Sequence, residues 1–401
     1  MLTGETSPAR ALPALGGAAI GSVSTSLSVF LVGALAVEIR PSLHLTLNGL
    51  GTAVSIYYLA AACSSLPAGR LAESFGGART MRVAAAGAAV SLALIGLVAS
   101  SLWTLTAVLI LAGMMDAAMQ PATNLFLIRR IRSGQRGAAF GVKQASVPFT
   151  ALIAGLTVPA IGLTVGWRWA FLGAAAIALF AAIVIPRPRT SLAERRRSRA
   201  AGDGDLALPP LIVLTAGFGL AMLSTTALTT FMVTSMVAAG FHKGAAGLVA
   251  AAAGAAAVLV RVAVGLRADG RRQGQLPSVS RMLLCGVAGY ALLGLAAATQ
   301  LRPLFVAGAL VASGAGWGWN GLFNMAISVS HPQAPARATS ITLAGNRTAA
   351  VAGPILFALL VTHASYTAAW LAAAAAALAA ALVIRAGHGM LAGRAEPAAV
   401  R

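Results

Sequence analysis

Long apolar stretches, one after another and parted by short polar breaks, constrain this chain more than any other feature. Reading the runs against their breaks predicts spans over 15–37, 49–69, 83–100, 103–128, 138–162 and 168–186. Six more follow over 209–239, 245–265, 282–299, 303–330, 339–363 and 365–385. A helix crossing the hydrocarbon core of a bilayer needs roughly 20 predominantly apolar residues, so twelve crossings take about 240 residues and leave short loops and small tails. A chain that is 58% hydrophobic and 9% charged, with a mean hydropathy of +0.84, would expose very large apolar patches in water. The expectation is an all-α membrane protein whose backbone polar groups are satisfied inside each helix.

The net charge of +20 raises the question of nucleic acid, but the cations come in short bursts between apolar runs and form no motif-bearing basic domain. No nucleic-acid partner is expected; lipid is. Basic residues gather on the cytoplasmic side of membrane proteins. Placing both termini there leaves only Arg40, Arg168, Lys243 and Arg302 outside. The expected location is the cytoplasmic (plasma) membrane. The start of the chain runs into the first span without an Ala-x-Ala cleavage signal, so that span is read as retained. The longest polar break, RPRTSLAERRRSRAAGDGDLALPP, divides the chain into a first half over 1–186, a cytoplasmic linker over 187–208 and a second half over 209–401. Cys63 and Cys285 lie in apolar stretches and are read as packing residues; neither a metal site nor a cofactor is expected.

The halves repeat. A shift of about 200 residues lays GMMDAAMQPATNLFLIRRI on SGAGWGWNGLFNMAISVSH, so that Gln120 meets Asn320 and Asn124 meets Asn324, and a shift of about 196 lays GRLAESFGG on GLRADGRRQ. The loop after span 2 resembles the signature of the major facilitator superfamily, Gly-x-x-x-Asp-Arg-x-Gly-Arg-Arg, with Gly69, Glu73, Gly76 and Arg79 in the matching places. Glu73 stands where the family has Asp, and Ser74 where it has Arg. The second-half copy keeps Gly265 and Asp269. GWRWAF in span 6 and GVKQASVP in span 5 resemble the branch with cyanate- and nitrate-type permeases. The resemblance implies twelve helices in two six-helix bundles related by a pseudo-two-fold axis, a midplane site and alternating access. It also implies that the loop acid gates, capping a neighbouring helix N-terminus where free N–H groups and the dipole favour a carboxylate. A solvated loop serving topology alone is the other reading of Glu73 and Asp269. Arg261, Gly265 and Asp269 recur every four residues and share a helix face; Arg261 either gates with them or snorkels.

Of the nine acids, Asp116 alone falls mid-span, where a charge costs about 2.5–3.5 kcal/mol on insertion scales and so demands a partner, water or a proton. It is read as the proton-coupling residue, the alternative being a structural acid that never titrates. Asp116, Gln120 and Asn124 follow i, i+4, i+8 and form one polar stripe. Lys143 lies roughly 10 Å and Arg347 roughly 15 Å into the membrane at 1.5 Å per residue. With Asp116 negative, these two cations leave one positive charge, which predicts a small monoanionic substrate, Arg347 being suited to bidentate carboxylate contact. A snorkelling Lys143 and an Arg347 paired with Asp116 stay open. Span 10 adds Trp317, Asn320 and Asn324 as substrate-binding candidates. Hydroxyls on spans 1 and 7, among them Ser22, Thr25, Ser26 and Ser28, are read mainly as helix-packing groups.

No nucleophile, base and metal constellation assembles at one depth, so catalysis is not expected. The expectation is a monomeric secondary transporter of a small solute, with protons as a coupling partner. A drug/proton antiporter is the main rival, although span 5 reads Ala-Ser-Val-Pro where that branch has Gly-Pro-x-x-Gly-Gly. A non-transporting sensor is the third reading.

Overall fold

A computed structural model describes residues 8–130, 136–186, 207–268, 275–331 and 335–395 of the chain, and no strand occurs among them. The first six passes are α1 (Pro8–Ala34), α2 (Leu47–Phe75), α3 (Gly77–Val98), α4 (Leu102–Arg130), α5 (Arg136–Thr157) and α6 (Trp167–Val184). The next six are α7 (Leu208–Ala238), α8 (Lys243–Ala268), α9 (Gln275–Thr299), α10 in two pieces (Arg302–Gly318 and Asn320–Ser330), α11 (Pro335–His363) and α12 (Tyr366–Ala395). Eleven of these are long and apolar enough to cross a membrane. The twelfth, α10, is interrupted at Trp319, whose φ of −66° and ψ of −20° stay helical. The two pieces therefore run on as one pass. A short helix, Ala36–Ser42, extends α1, and a π-turn, Val158–Gly162, extends α5.

Helices begin and end where the backbone chemistry changes. Thr46 caps α2 by accepting the Gly49 N–H at 3.0 Å, which satisfies one of the free amides of the first turn. Gly76, with φ +88°, lets α2 end and α3 begin on a single residue, a conformation that a side chain would strain. Most helices start before their apolar runs, three of them by six residues or more: α1 opens at Pro8 rather than 15. α3 opens at Gly77 rather than 83 and α9 at Gln275 rather than 282, because helical backbone continues through the polar first turns bearing Arg79, Arg82, Ser278 and Arg281.

The passes form two bundles with repeated pairings. In the first, α2 packs on α4, α3 on α6 and α1 on α5; six helices on, α8 packs on α10, α9 on α12 and α7 on α11. Between the bundles, α5 meets α8, α2 meets α11 and α1 meets α7. Of the expected linker over 187–208, residues up to 206 lie outside the described residues.

Those seams close tightly at the end away from the termini. A Cβ on Gly155 would stand 2.5 Å from the Ala251 N, one on Gly51 2.8 Å from the Pro354 O, and one on Gly33 2.7 Å from the Thr229 O. Only glycine permits backbones this close. Asn48 accepts from Thr362 at 3.0 Å there, and Lys243 pairs with Glu38 at 2.6 Å. Toward the terminus-bearing end, a Cβ added at Gly16, Gly69 or Gly265 would meet nothing within 4 Å. The described glycines that come this close to the opposite half all lie toward that shut end.

Cys63 and Cys285 are exposed, which corrects their reading as packing residues. In a bilayer an outward-facing thiol and a packed one have the same hydropathy, so an apolar run cannot tell them apart.

Candidate transport site

Asp116 stands midway along α4, and its Oδ1 accepts from Ser26 Oγ at 3.0 Å and Thr25 Oγ1 at 3.2 Å. Two α1 hydroxyls assigned mainly to packing thus serve as partners of the single mid-span acid. Arg347 and Lys143 lie within electrostatic reach of Asp116, but no direct ion pair joins either cation to it among the described residues. An Arg347–Asp116 pair, one of the open readings, is not present.

Each cation is held by an uncharged acceptor. Lys143 is buried, and its Nζ donates to Asn124 Oδ1 at 2.6 Å, which ties α5 to the polar stripe of α4. Its burial and this bond rule out a side chain snorkelling to the surface. Arg347 donates from Nη1 to the Ala61 carbonyl on α2 at 2.6 Å, an oxygen that also accepts from Ser65 Oγ at 2.6 Å. Arg261 donates from Nη1 to the Gln144 carbonyl at 2.6 Å and from Nη2 to the Trp317 carbonyl at 3.1 Å. Pro148 explains the first of these. It lacks an N–H, so the Gln144 carbonyl four residues before it has no intrahelical donor. The Arg261 guanidinium lies 5.1 Å over the Trp317 ring, and Trp317 stacks on Phe30 at 5.9 Å. Arg261 therefore reaches inward to bind α5 and α10, away from the face it shares in sequence with Gly265 and Asp269.

Other candidates show unused polar capacity. Gln120 is half-buried and has no hydrogen-bond partner among the described residues. Asn324 Nδ2 donates to both the backbone and side-chain oxygens of Asn320 at 3.1 Å, while its own Oδ1 is buried and unpaired. Asn320 Nδ2 reaches Met222 Sδ at 3.7 Å. The loop residues stand apart. Gly69 and Gly265 face open space, Glu73 is exposed with no partner among the described residues, and Arg79 lies 5.6 Å over the Phe75 ring. The N-terminus of α3 carries no side-chain cap, so Glu73 does not cap it. Asp269 lies outside the described residues.

Sequence reading missed Tyr57 and Tyr58, an edge-to-face pair 5.2 Å apart on α2 and both within reach of the Asp116 charge. Their signal was there, since two of the four tyrosines adjoin inside an apolar run. The Gln144 and Ala61 carbonyls were missed as well; Pro148 marked the first, and nothing marked the second.

The family model described as Major Facilitator Superfamily matches residues 18–280. The "Tetracenomycin C resistance and export protein" of Streptomyces glaucescens is 31% identical over 157 residues, which are 38% of this chain and 29% of that protein. The chain thus aligns with less than a third of the length of that curated relative. Among solved structures, a bacterial homologue of the human lysosomal transporter Spinster, in an inward-facing and unoccupied conformation, superposes with a TM-score of 0.68. It does so at 12% identity over 96% of this chain and 97% of that one, and shares the fold.

Proposed function

The chain belongs to the major facilitator superfamily and is a multi-pass membrane transporter; on that premise we propose that it moves a small monoanion by alternating access, coupled to protons through Asp116. The charge inventory of the centre supports this reading. Lys143 and Arg347 reach inward on α5 and α11, and Asp116 lies within electrostatic reach of both, which leaves one net positive charge. An excess of positive charge in low dielectric is stabilised by an anion beside it.

Lys143 comes from the first half (1–186) and Arg347 from the second (209–401), so a carboxylate or inorganic anion held by both bridges the two moving bodies. Gln120, Asn320 and Asn324 supply neutral donors around it, and Trp317 supplies an apolar wall. With the termini cytoplasmic, as the distribution of Lys and Arg implies, the shut end faces outward and the site opens inward. Asp116 then takes a proton on the outer side and releases it inside, and Glu73 and Arg79 re-form the inner gate when the outer seams part. The protein acts as a monomer in the cytoplasmic membrane.

Uptake of radiolabelled small anions into proteoliposomes tests the reading. Lys143→Gln combined with Arg347→Gln should reduce it to the level of empty vesicles; full uptake by that double variant sinks the proposal. A second reading, export of a larger organic molecule against protons, is favoured by the match to a resistance and export protein. Substrate-driven proton efflux from loaded vesicles, with no anion uptake, would select it.

A further inference from the structure

Arg79 and Arg82 project near the start of α3 into a groove of about 500 Å³ between α3 and α6, lined also by Val83, Ala86, Ala182 and Ile183. We propose that this groove binds an anionic phospholipid, its phosphate held by the two arginines and one acyl chain laid along α3.

The groove is built rather than incidental. Arg82 Nε donates to the Ala182 carbonyl at 3.0 Å, one of the last carbonyls of α6 and so without a helical partner. That bond fixes the guanidinium against α6, and among the described residues its Nη1 and Nη2 have no partner. Among the described residues Arg79 is held only by its contact with the Phe75 ring. No acid lines the groove. At 1.5 Å per residue, Arg79 and Arg82 stand about 3 and 8 Å from the start of α3, the depth of headgroups rather than of acyl chains.

The apolar part matches the other end of such a lipid. Val83, Val90 and Leu97 are 62%, 52% and 68% exposed. Their seven-residue spacing keeps them on one face of α3, a stripe leading from the arginines into the hydrocarbon. Guanidinium groups suit phosphate oxygens through paired N–H donors, and basic pockets between helices bind anionic headgroups. The pair of charges is not a general feature of helix starts in this chain. A shift of 196 residues sets Arg79 and Arg82 against Gln275 and Ser278, and the nearby Arg281 donates to Ser278 Oγ at 3.1 Å.

Association of spin-labelled phosphatidylglycerol with the purified full chain, measured against phosphatidylcholine of the same chains, tests the site. Wild type should prefer phosphatidylglycerol by roughly tenfold, given two arginines at the membrane surface. The preference should fall in Arg79→Gln and further in Arg79→Gln/Arg82→Gln. Ile183→Trp, which fills the groove and keeps both arginines, should lower it too; this variant and Arg79→Gln spare the Arg82–Ala182 bond, so they decide the matter if the double variant does not fold. Equal association of the two lipids with wild type overturns the proposal, as does a preference unchanged in both Arg79→Gln and Ile183→Trp. Loss of the preference in excess inorganic phosphate at constant ionic strength would assign the site to the free anion and equally overturn it.

Discussion

The seam between α2 and α11 and the seam between α5 and α8 are built to one plan. Each closes on a glycine at the shut end, Gly51 on Pro354 and Gly155 on Ala251, and farther in each carries an arginine from the second half that takes a first-half carbonyl. What differs is how much those carbonyls need the arginine. Gln144 has lost its helical donor to Pro148, so Arg261 fills a vacancy and is further held by Trp317. Ala61 sits in unbroken helix and already accepts from Ser65 Oγ, so Arg347 is an additional donor beside Asp116. One arginine completes the architecture; the other can be withdrawn from its carbonyl with little disturbance. Identical contacts on a distance list thus differ in kind once the partner's other bonds are counted.

Substitutions at the two arginines sharpen this contrast. The largest change in transport is expected from Arg347→Gln, a loss of roughly tenfold or more in anion uptake, since a tenfold loss needs only about 1.4 kcal/mol of binding. Its thermal unfolding should stay near that of wild type. Arg261→Met should show the reverse emphasis. An unsatisfied buried carbonyl costs about 1–3 kcal/mol, seen as a lowered unfolding midpoint in detergent. Pro148→Ala should recover part of that loss, because the restored N–H at position 148 can serve Gln144. A double-mutant cycle with no coupling between the two positions would break the comparison. Asp116→Asn should leave folding intact and make uptake insensitive to external pH, whereas wild-type uptake should fall as protons become scarce; a variant that tracks the wild-type pH profile removes the acid from the coupling. The smallest effect is expected at Glu38→Gln. Its partner Lys243 is 44% exposed, and exposed pairs contribute about 0–1 kcal/mol, so the shut end should loosen only slightly in a cysteine-accessibility assay.

The fold was legible because lipid enforces one rule, that apolar helices satisfy their own backbone. Run lengths then located the passes, and polar helix starts such as Arg79–Arg82 and Ser278–Arg281 blurred the edges. The site was half legible. Asp116, Lys143 and Arg347 stood out because a charge inside a span is costly, and the structure brings each of the two cations within electrostatic reach of Asp116. Arg261 was recognised as intramembrane but assigned to the wrong surroundings. Its sequence neighbours on α8 pointed to the loop end, whereas its contacts come from α5 and α10, which no periodicity along α8 reveals. Main-chain acceptors such as Ala61 carry no side-chain signature at all. Tyr57 and Tyr58 were visible but ambiguous, since tyrosine packs in apolar surroundings as readily as it serves a charged site.

The interruption of α10 has a bearing on how the second half can move. At Trp319 the ladder skips, yet the Gly316 carbonyl accepts the Trp319 indole N–H at 2.7 Å, and the ring sits edge-on to Phe218 at 5.3 Å and Phe323 at 6.0 Å. With the Gly316 carbonyl already satisfied by the indole, a bend at this point would expose no backbone oxygen of that turn to hydrocarbon. The amides Asn320 and Asn324 and the aromatic wall of Trp317 thus lie on opposite sides of the interruption, and Arg261 holds only the second.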